Sequence, residues 1–344
     1  RDPITMKNLV KIGLLAAVAM APTPAMAALT VFKQFTGKYG LSTDGGGHST
    51  DGAGYGASNY TVNAWVPVGA TVEGAWLYQS GYSFDSIPGP YPVFLNNQPL
   101  TFGSPMVNNS VDILFSARAD VTSLVAPIIN GGPGGTYSFN VRETRSGEDN
   151  ALDGVALVVV YSDPSVIKKS TVAILDGFAT VTGDEFTFTA PNGMNPTAPG
   201  FSAELRLGIG FSRDNTFQRT FMDVNGTQIT RWAGGHDDGL GDLENGMMIT
   251  VGGNNDPFSP FLPTEQQFDT ERYNLVPYIS QGDTSIRVNT RNPSQDDNIF
   301  LAAFIINEGS VTIPEPATWA MMIVGFGLVG FATRRRERLA RVSA

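Results

Sequence analysis

The chain has two histidines, and both sit in glycine-rich acidic stretches. His48 lies within Asp44-Gly45-Gly46-Gly47-His48-Ser49-Thr50-Asp51. His236 lies within Gly234-Gly235-His236-Asp237-Asp238-Gly239-Leu240-Gly241-Asp242-Leu243-Glu244-Asn245. Carboxylates on glycine-permitted turns suit a hard cation such as Ca2+, which takes roughly six to eight oxygens in flexible geometry. Asp237, Asp238, Asp242 and Glu244 are the candidate ligands, and Ca2+ is the one ion these motifs put forward; no other cofactor is called for. Their spacing departs from the EF-hand loop, so a solvated acidic turn stands beside the calcium reading. Glu148-Asp149-Asn150 and Asp296-Asp297-Asn298 allow the same two readings. Asp237 and Asp242 are also a carboxylate pair of the type that cleaves glycosides, where one acid and one base or nucleophile suffice. Trp232, just upstream, is the candidate for an exposed ring on which a sugar stacks, whereas Trp76, alternating with Tyr78 in an apolar run, reads as core.

Other chemistries are excluded by what the sequence lacks. There is no Gly-x-Ser-x-Gly elbow, no His-Glu-x-x-His pair and no phosphate-cradling loop. Cysteine is absent, which removes disulfides, thiol catalysis and zinc-thiolate sites. The formal net charge is −10, and residues 28–313 are more acidic still, with 14 Lys and Arg against 29 Asp and Glu. Such a surface repels nucleic acid and anionic lipid. Enzymatic function is not expected.

The elements that must carry these residues read as strands. Gly 39 and Pro 22, with no long helical periodicity, predict many turns and an all-β body. Short alternating or β-branched runs fall at 60–68, 71–79, 91–95, 136–141, 155–161, 170–175, 185–189, 203–209, 219–224, 284–288 and 299–306. In Thr136-Tyr137-Ser138-Phe139-Asn140-Val141 the apolar residues share one face, as in a half-buried strand. Val155–Val160 is apolar on both faces, which predicts a strand central to a packed body.

A faint internal repeat runs through the body. Gly81-Tyr82-Ser83-Phe84-Asp85 is echoed by Gly210-Phe211-Ser212-Arg213-Asp214, and Arg118-Ala119-Asp120-Val121 by Arg272-Tyr273-Asn274-Leu275. Gly135–Val141 is echoed by Gly282–Val288, and Glu148-Asp149-Asn150 by Asp296-Asp297-Asn298. Four echoes in the same order predict two tandem, jelly-roll-like β-sandwich domains, at 28–165 and 166–311, joined near Ser162-Asp163-Pro164-Ser165; one fused sandwich is the alternative.

The two ends carry addresses. Met6-Lys7-Asn8-Leu9-Val10-Lys11 is a basic start, Ile12–Ala21 an apolar stretch, and Ala25-Met26-Ala27 a small-x-small cleavage site. Together they predict a helical secretory signal peptide cut after Ala27, with Arg1–Thr5 an upstream remnant, so that 1–27 stands apart from the body. Residues 312–344 form the opposite end. The motif at 314–320, Pro314-Glu315-Pro316-Ala317-Thr318-Trp319-Ala320, opens an uncharged segment at 317–333, and Arg334-Arg335-Arg336 begin a basic tail at 334–344. The prolines hold the motif extended. The apolar segment sits at the short end of what spans a bilayer as a helix, and the arginines belong on the cytoplasmic side.

This tail resembles the PEP-CTERM sorting signal, in the variant that continues through Trp-Ala into a glycine-rich segment. The resemblance implies recognition through Pro314, Glu315, Pro316, Trp319, Arg334, Arg335 and Arg336 by an exosortase, a membrane protease-transpeptidase of Gram-negative bacteria that make exopolysaccharide. It also implies an inner-membrane-anchored precursor, then an outer-surface or extracellular protein. The reading that follows is an exported, non-enzymatic surface or biofilm-matrix protein, associated with exopolysaccharide. A carbohydrate-binding module, aided by Ca2+, is the first alternative, and a secreted glycan-degrading enzyme the second.

Overall fold

The computed structural model describes residues 29–47, 57–83, 89–107, 113–144, 150–163, 169–180, 182–190, 192–212, 219–235, 238, 248–295 and 298–308. The signal peptide with Ala25 and Ala27, and the tail with its motif, apolar segment and arginines, lie outside the described residues. Among those described, no helix is long and apolar enough to cross a membrane.

The strands of the first half are β1 Thr30–Gly37, β2 Tyr39–Gly46, β3 Ala57–Val66, β4 Thr71–Ser83, β5 Val93–Leu95, β6 Gln98–Pro99, β7 Met106–Val107, β8 Ile113–Asp120, β9 Gly135–Thr144 and β10 Asn150–Ser162. Those of the second are β11 Ser170–Asp176, β12 Glu185–Thr189, β13 Phe201–Ser212, β14 Thr220–Val224, β15 Thr227–Ala233, β16 Met248–Val251, β17 Arg272–Asn274, β18 Ser285–Arg291 and β19 Asn298–Glu308. Four antiparallel sheets result, ordered β2-β10-β4-β8-β7, β3-β9-β5-β6, β1-β11-β19-β13-β16 and β12-β18-β14-β15, with β17 also paired to β13.

The wiring repeats. β2-β10-β4-β8 in the first half has its counterpart in β11-β19-β13-β17, and β3-β9-β5-β6 in β12-β18-β14-β15. The sequence echoes fall on matching strands: Gly81 with Gly210 on β4 and β13, Arg118 with Arg272 on β8 and β17, and Asn150 with Asn298 at the starts of β10 and β19.

Three apolar layers hold the sheets in a stack. Phe115, Phe139, Leu77 and Leu157 fill the space between the two sheets of the first half. Phe186, Phe188, Phe304 and Leu205 fill the equivalent space in the second. A third cluster, with Trp76, Tyr78, Val158, Ile174 and Phe300, joins the two halves. Hence β10 is apolar on both faces: Val155, Leu157 and Val159 point into the first core, while Ala156, Val158 and Val160 point into the seam. β13 approaches β4 closely at Gly210, where a Cβ would lie 1.9 Å from the Ser80 hydroxyl oxygen.

Three elements depart from the sequence reading. Asp44-Gly45-Gly46 reads as the start of a turn, yet it closes β2, an edge strand paired to β10 with Leu157 opposite Asp44. Residues 30–37 fall in the first segment of the chain but form an edge strand on β11, because Phe32 and Phe35 pack on Trp76 at 5.4 and 6.3 Å between ring centres. A short helix, α1 (Thr122–Ile129), forms around Pro127 where no continuous helix was expected; Val125 and Ile129, one turn apart, bury its inner stripe.

Candidate functional site

β3 is an outer strand, so the N–H groups on its free edge need partners. The side chains of β2 supply them. Trp65 N–H donates to Ser42 Oγ at 2.9 Å, and Asn63 N–H to Asp44 Oδ2 at 2.5 Å, with the Asn63 amide donating to the same oxygen at 3.1 Å. Alternation along β3 buries Tyr60, Val62, Ala64 and Val66 in the core and turns Asn63 and Trp65 outward, leaving Trp65 46% exposed.

The facing wall comes from the other half of the chain. Thr43 N–H donates to Asn254 Oδ1 at 3.1 Å, Asn254 N–H returns a bond to Thr43 O at 3.1 Å, and the Thr43 hydroxyl donates to Gly252 O at 2.6 Å. A cleft of about 450 Å³ opens between the walls, lined by Asp44, Asn63, Trp65, Thr136, Asn254 and Asn255. Ion pairs brace it from behind. Arg206 and Arg272 both bond Glu204, at 3.0 and 3.1 Å, while Arg206 also reaches Thr43 Oγ1 at 3.1 Å and Arg272 donates to Asp256 O at 2.8 Å. Burial alone pushes the Glu204 carboxyl up, but the two guanidinium groups outweigh it and hold Glu204 below its ordinary range.

Asp44 is the perturbed group of the cleft. Burial raises its carboxyl from 3.8 to about 6; the bonds from Asn63 pull it back, and the Asp256 charge pushes it up.

A second polar cluster lies behind Gly234 and Gly235. Glu271, in left-handed backbone at φ 52°, accepts from their N–H groups at 2.8 and 3.2 Å and from the Thr250 hydroxyl. Asp269 accepts from Thr230, and from Tyr273 OH at 2.6 Å. Burial raises both carboxyls, and for Glu271 the Asp269 charge adds to it. These groups are fully enclosed, so they anchor the chain where it enters the His236 stretch rather than meet a ligand. Glu271→Ala strips an acceptor from three donors and is expected to cost ~3 kcal/mol or more. A lower urea midpoint with an unchanged slope checks this; an unmoved midpoint would deny the anchoring role.

Of the candidate calcium ligands, Asp237, Asp242 and Glu244 lie outside the described residues, as does His236. Asp238 is described, and its carboxylate accepts the Val251 N–H. Among the described residues no three His, Cys, Asp or Glu come together as a metal site. Trp232 is half-buried, with its indole nitrogen enclosed and Arg219 stacked at 6.0 Å. Trp76 is core, 4% exposed. The exposed ring on the described cleft is Trp65, while Trp232 is half-buried beside a stretch outside the described residues. Asp44 and Ser42, two residues apart on β2, share the face that meets β3, and the glycine-rich polar run around them carries no strand signal.

Residues 25–202, just over half of the chain, match the model of DUF3344, described as a protein of unknown function. The chain belongs to the DUF3344 family. The matched span of this DUF3344 protein takes in Asp44, Asn63, Trp65 and Thr136, while Asn254 and Asn255 lie beyond it. Residues 312–336 match the PEP-CTERM protein-sorting motif, so the tail is a sorting signal of that kind. No curated protein matches. Among solved structures, BuGH86wt in complex with neoagarooctaose aligns at 12% identity and a TM-score of 0.21, over 82% of this chain and 33% of its own. This chain thus spans about a third of that protein's length. Peptide-N(4)-(N-acetyl-β-D-glucosaminyl) asparagine amidase aligns at 10% identity and 0.23, over 78% and 96%. The major capsid protein P2 of bacteriophage PM2 gives 9% and 0.23, over 79% and 99%. All three TM-scores fall well short of a shared fold.

Proposed function

We propose that this DUF3344 protein is an exported, non-enzymatic component of the cell surface or exopolysaccharide matrix of a Gram-negative bacterium. Its precursor is held in the inner membrane by 317–333 and cut by an exosortase-type transpeptidase. The observation that carries this reading is the sorting motif at 312–336, which follows in sequence a β body whose last described strand, β19, runs to Glu308. The body fits such a life. Each half has the eight-strand wiring of a jelly roll, split between two sheets, and we read the pair as tandem jelly-roll-like sandwiches. Without cysteine, it relies on three apolar layers for stability outside the cell.

Replacing Pro314-Glu315-Pro316 with three alanines is expected to abolish processing and leave a full-length precursor in the inner-membrane fraction. Immunoblotting of fractionated cells reads this directly. A mutant processed and released like the parent chain would overturn the proposal.

A further inference from the structure

We propose that the cleft between Trp65 and Asn254 binds a neutral hexopyranose unit of a polysaccharide. Binding here is independent of export: a chain sorted to the surface need not bind anything in this cleft, and a binding chain need not be sorted.

The shape comes first. The cleft is concave, about 450 Å³, within the range of small-ligand sites rather than of flat protein contacts. Both walls are fixed before any ligand arrives, one by the edge bonds of β3 to Ser42 and Asp44, the other by Glu204 with its two arginines. A pre-formed site loses little ordering entropy on binding.

The chemistry of the lining narrows the ligand. Trp65 presents a partly open indole whose face is electron-rich, the surface on which the C–H face of a pyranose lies flat. Around it stand the Thr136 hydroxyl and the Asn255 amide, groups that both give and accept hydrogen bonds as vicinal sugar hydroxyls require, beside Asn63 and Asn254, which are held in place by bonds to Asp44, Ser138, Thr43 and Arg206. Asp44, 6% exposed and with one oxygen taken by Asn63, adds its other carboxyl oxygen to that set as an acceptor.

The same lining disfavours anions. Among the described residues no Lys or Arg lines the cleft, and Arg206, which donates from behind to Thr43 Oγ1 and Asn254 Oδ1, is 4% exposed and paired with Glu204. Asp256 faces Asp44 closely enough to push its carboxyl up. Uronate or sulfated chains would meet two carboxyls and the acidic surface beyond them.

Affinity electrophoresis of the full-length chain in detergent tests this. Native gels would contain dextran, galactomannan or mixed-linkage β-glucan as neutral probes, with alginate and hyaluronate as anionic ones. At least one neutral polymer is expected to retard the parent chain, with neither anionic polymer doing so. Trp65→Ala should weaken that retardation at least tenfold, and Trp65→Phe by no more than about threefold, because a smaller ring still stacks. Asn255→Ala, at an exposed position, is the second variant should Trp65→Ala misfold, and is expected to weaken retardation about threefold or more. The proposal fails if no neutral polymer retards the chain, if an anionic polymer does so more strongly, or if the folded variants migrate like the parent.

Discussion

Phe300→Ala is expected to destabilise the body by ~3–5 kcal/mol, the usual cost of emptying a buried phenylalanine site. Phe300 is fully buried, lies 6.3 Å from the Tyr78 ring, and belongs to the cluster between the two halves rather than to either core. Its loss should therefore act on coupling as well as on stability. With the seam intact, both halves share one apolar layer and are expected to unfold in a single calorimetric transition. With a cavity at Phe300, the transition should fall by ~6–10 °C and broaden or split. Phe304→Ala is the control. Phe304 stacks on Phe188 at 5.3 Å inside the second core, so its loss should cost a similar amount without splitting the transition. If Phe300→Ala melts as one sharp peak within a degree of the parent, the seam does not couple the halves.

Polar clamps support the seam at its margins. Arg118 pairs with Asp176, which also accepts from Tyr78 OH at 2.9 Å, and the Arg118 guanidinium lies 3.4 Å from the Phe32 ring centre. These contacts span β8, β11, β4 and β1, so the ion pair and the cation–π contact draw the extra strand β1 across both halves. Ser116 adds a bond to Gly177 O at 3.0 Å.

How much of this was readable follows from what each residue depends on. Alternation is a local property, and it located strands whose faces meet one core and one solvent: Glu185–Thr189 matches β12 at both ends, its pattern exposed-buried throughout. The both-face apolar run of β10 was likewise legible, since a strand between two cores needs no polar side. β2 was not, because Tyr39–Gly46 is rich in glycine and polar residues, and its buried Ser42, Thr43 and Asp44 are satisfied by partners elsewhere in the chain. Trp65 was visible as an aromatic residue, but its exposure depends on which face of β3 meets the core, the face that Tyr60, Val62, Ala64 and Val66 fill. The cleft as a whole was hidden. Thr43 and Asn254 are separated by 211 residues, and no local pattern announces a contact across that distance.

Asp44→Asn is expected to stabilise the protein at neutral pH while weakening the cleft. In the folded chain the Asp44 carboxyl keeps its proton up to about pH 6, against an ordinary value of 3.8. Between those values the folded form holds more protons than the unfolded one, so stability falls as pH rises through the interval and stays lower above it. At ~1.4 kcal/mol per pH unit the interval corresponds to ~3 kcal/mol, an upper figure for what asparagine recovers. The Asn63 N–H still finds an amide oxygen in the variant, so the edge of β3 keeps its bond. Thermal melts from pH 3.5 to 8 should show the variant ahead of the parent above pH 6, with the two curves converging below about pH 4. Parallel curves across that range would mean that Asp44 is not the group responsible. Neutral-glycan retardation should move the opposite way at pH 7.5, because with one oxygen held by Asn63 in either case, asparagine turns an N–H donor toward the cleft where the carboxylate has an acceptor oxygen. A residue that lowers stability at neutral pH and raises affinity at the same pH is retained for the cleft, not for the fold.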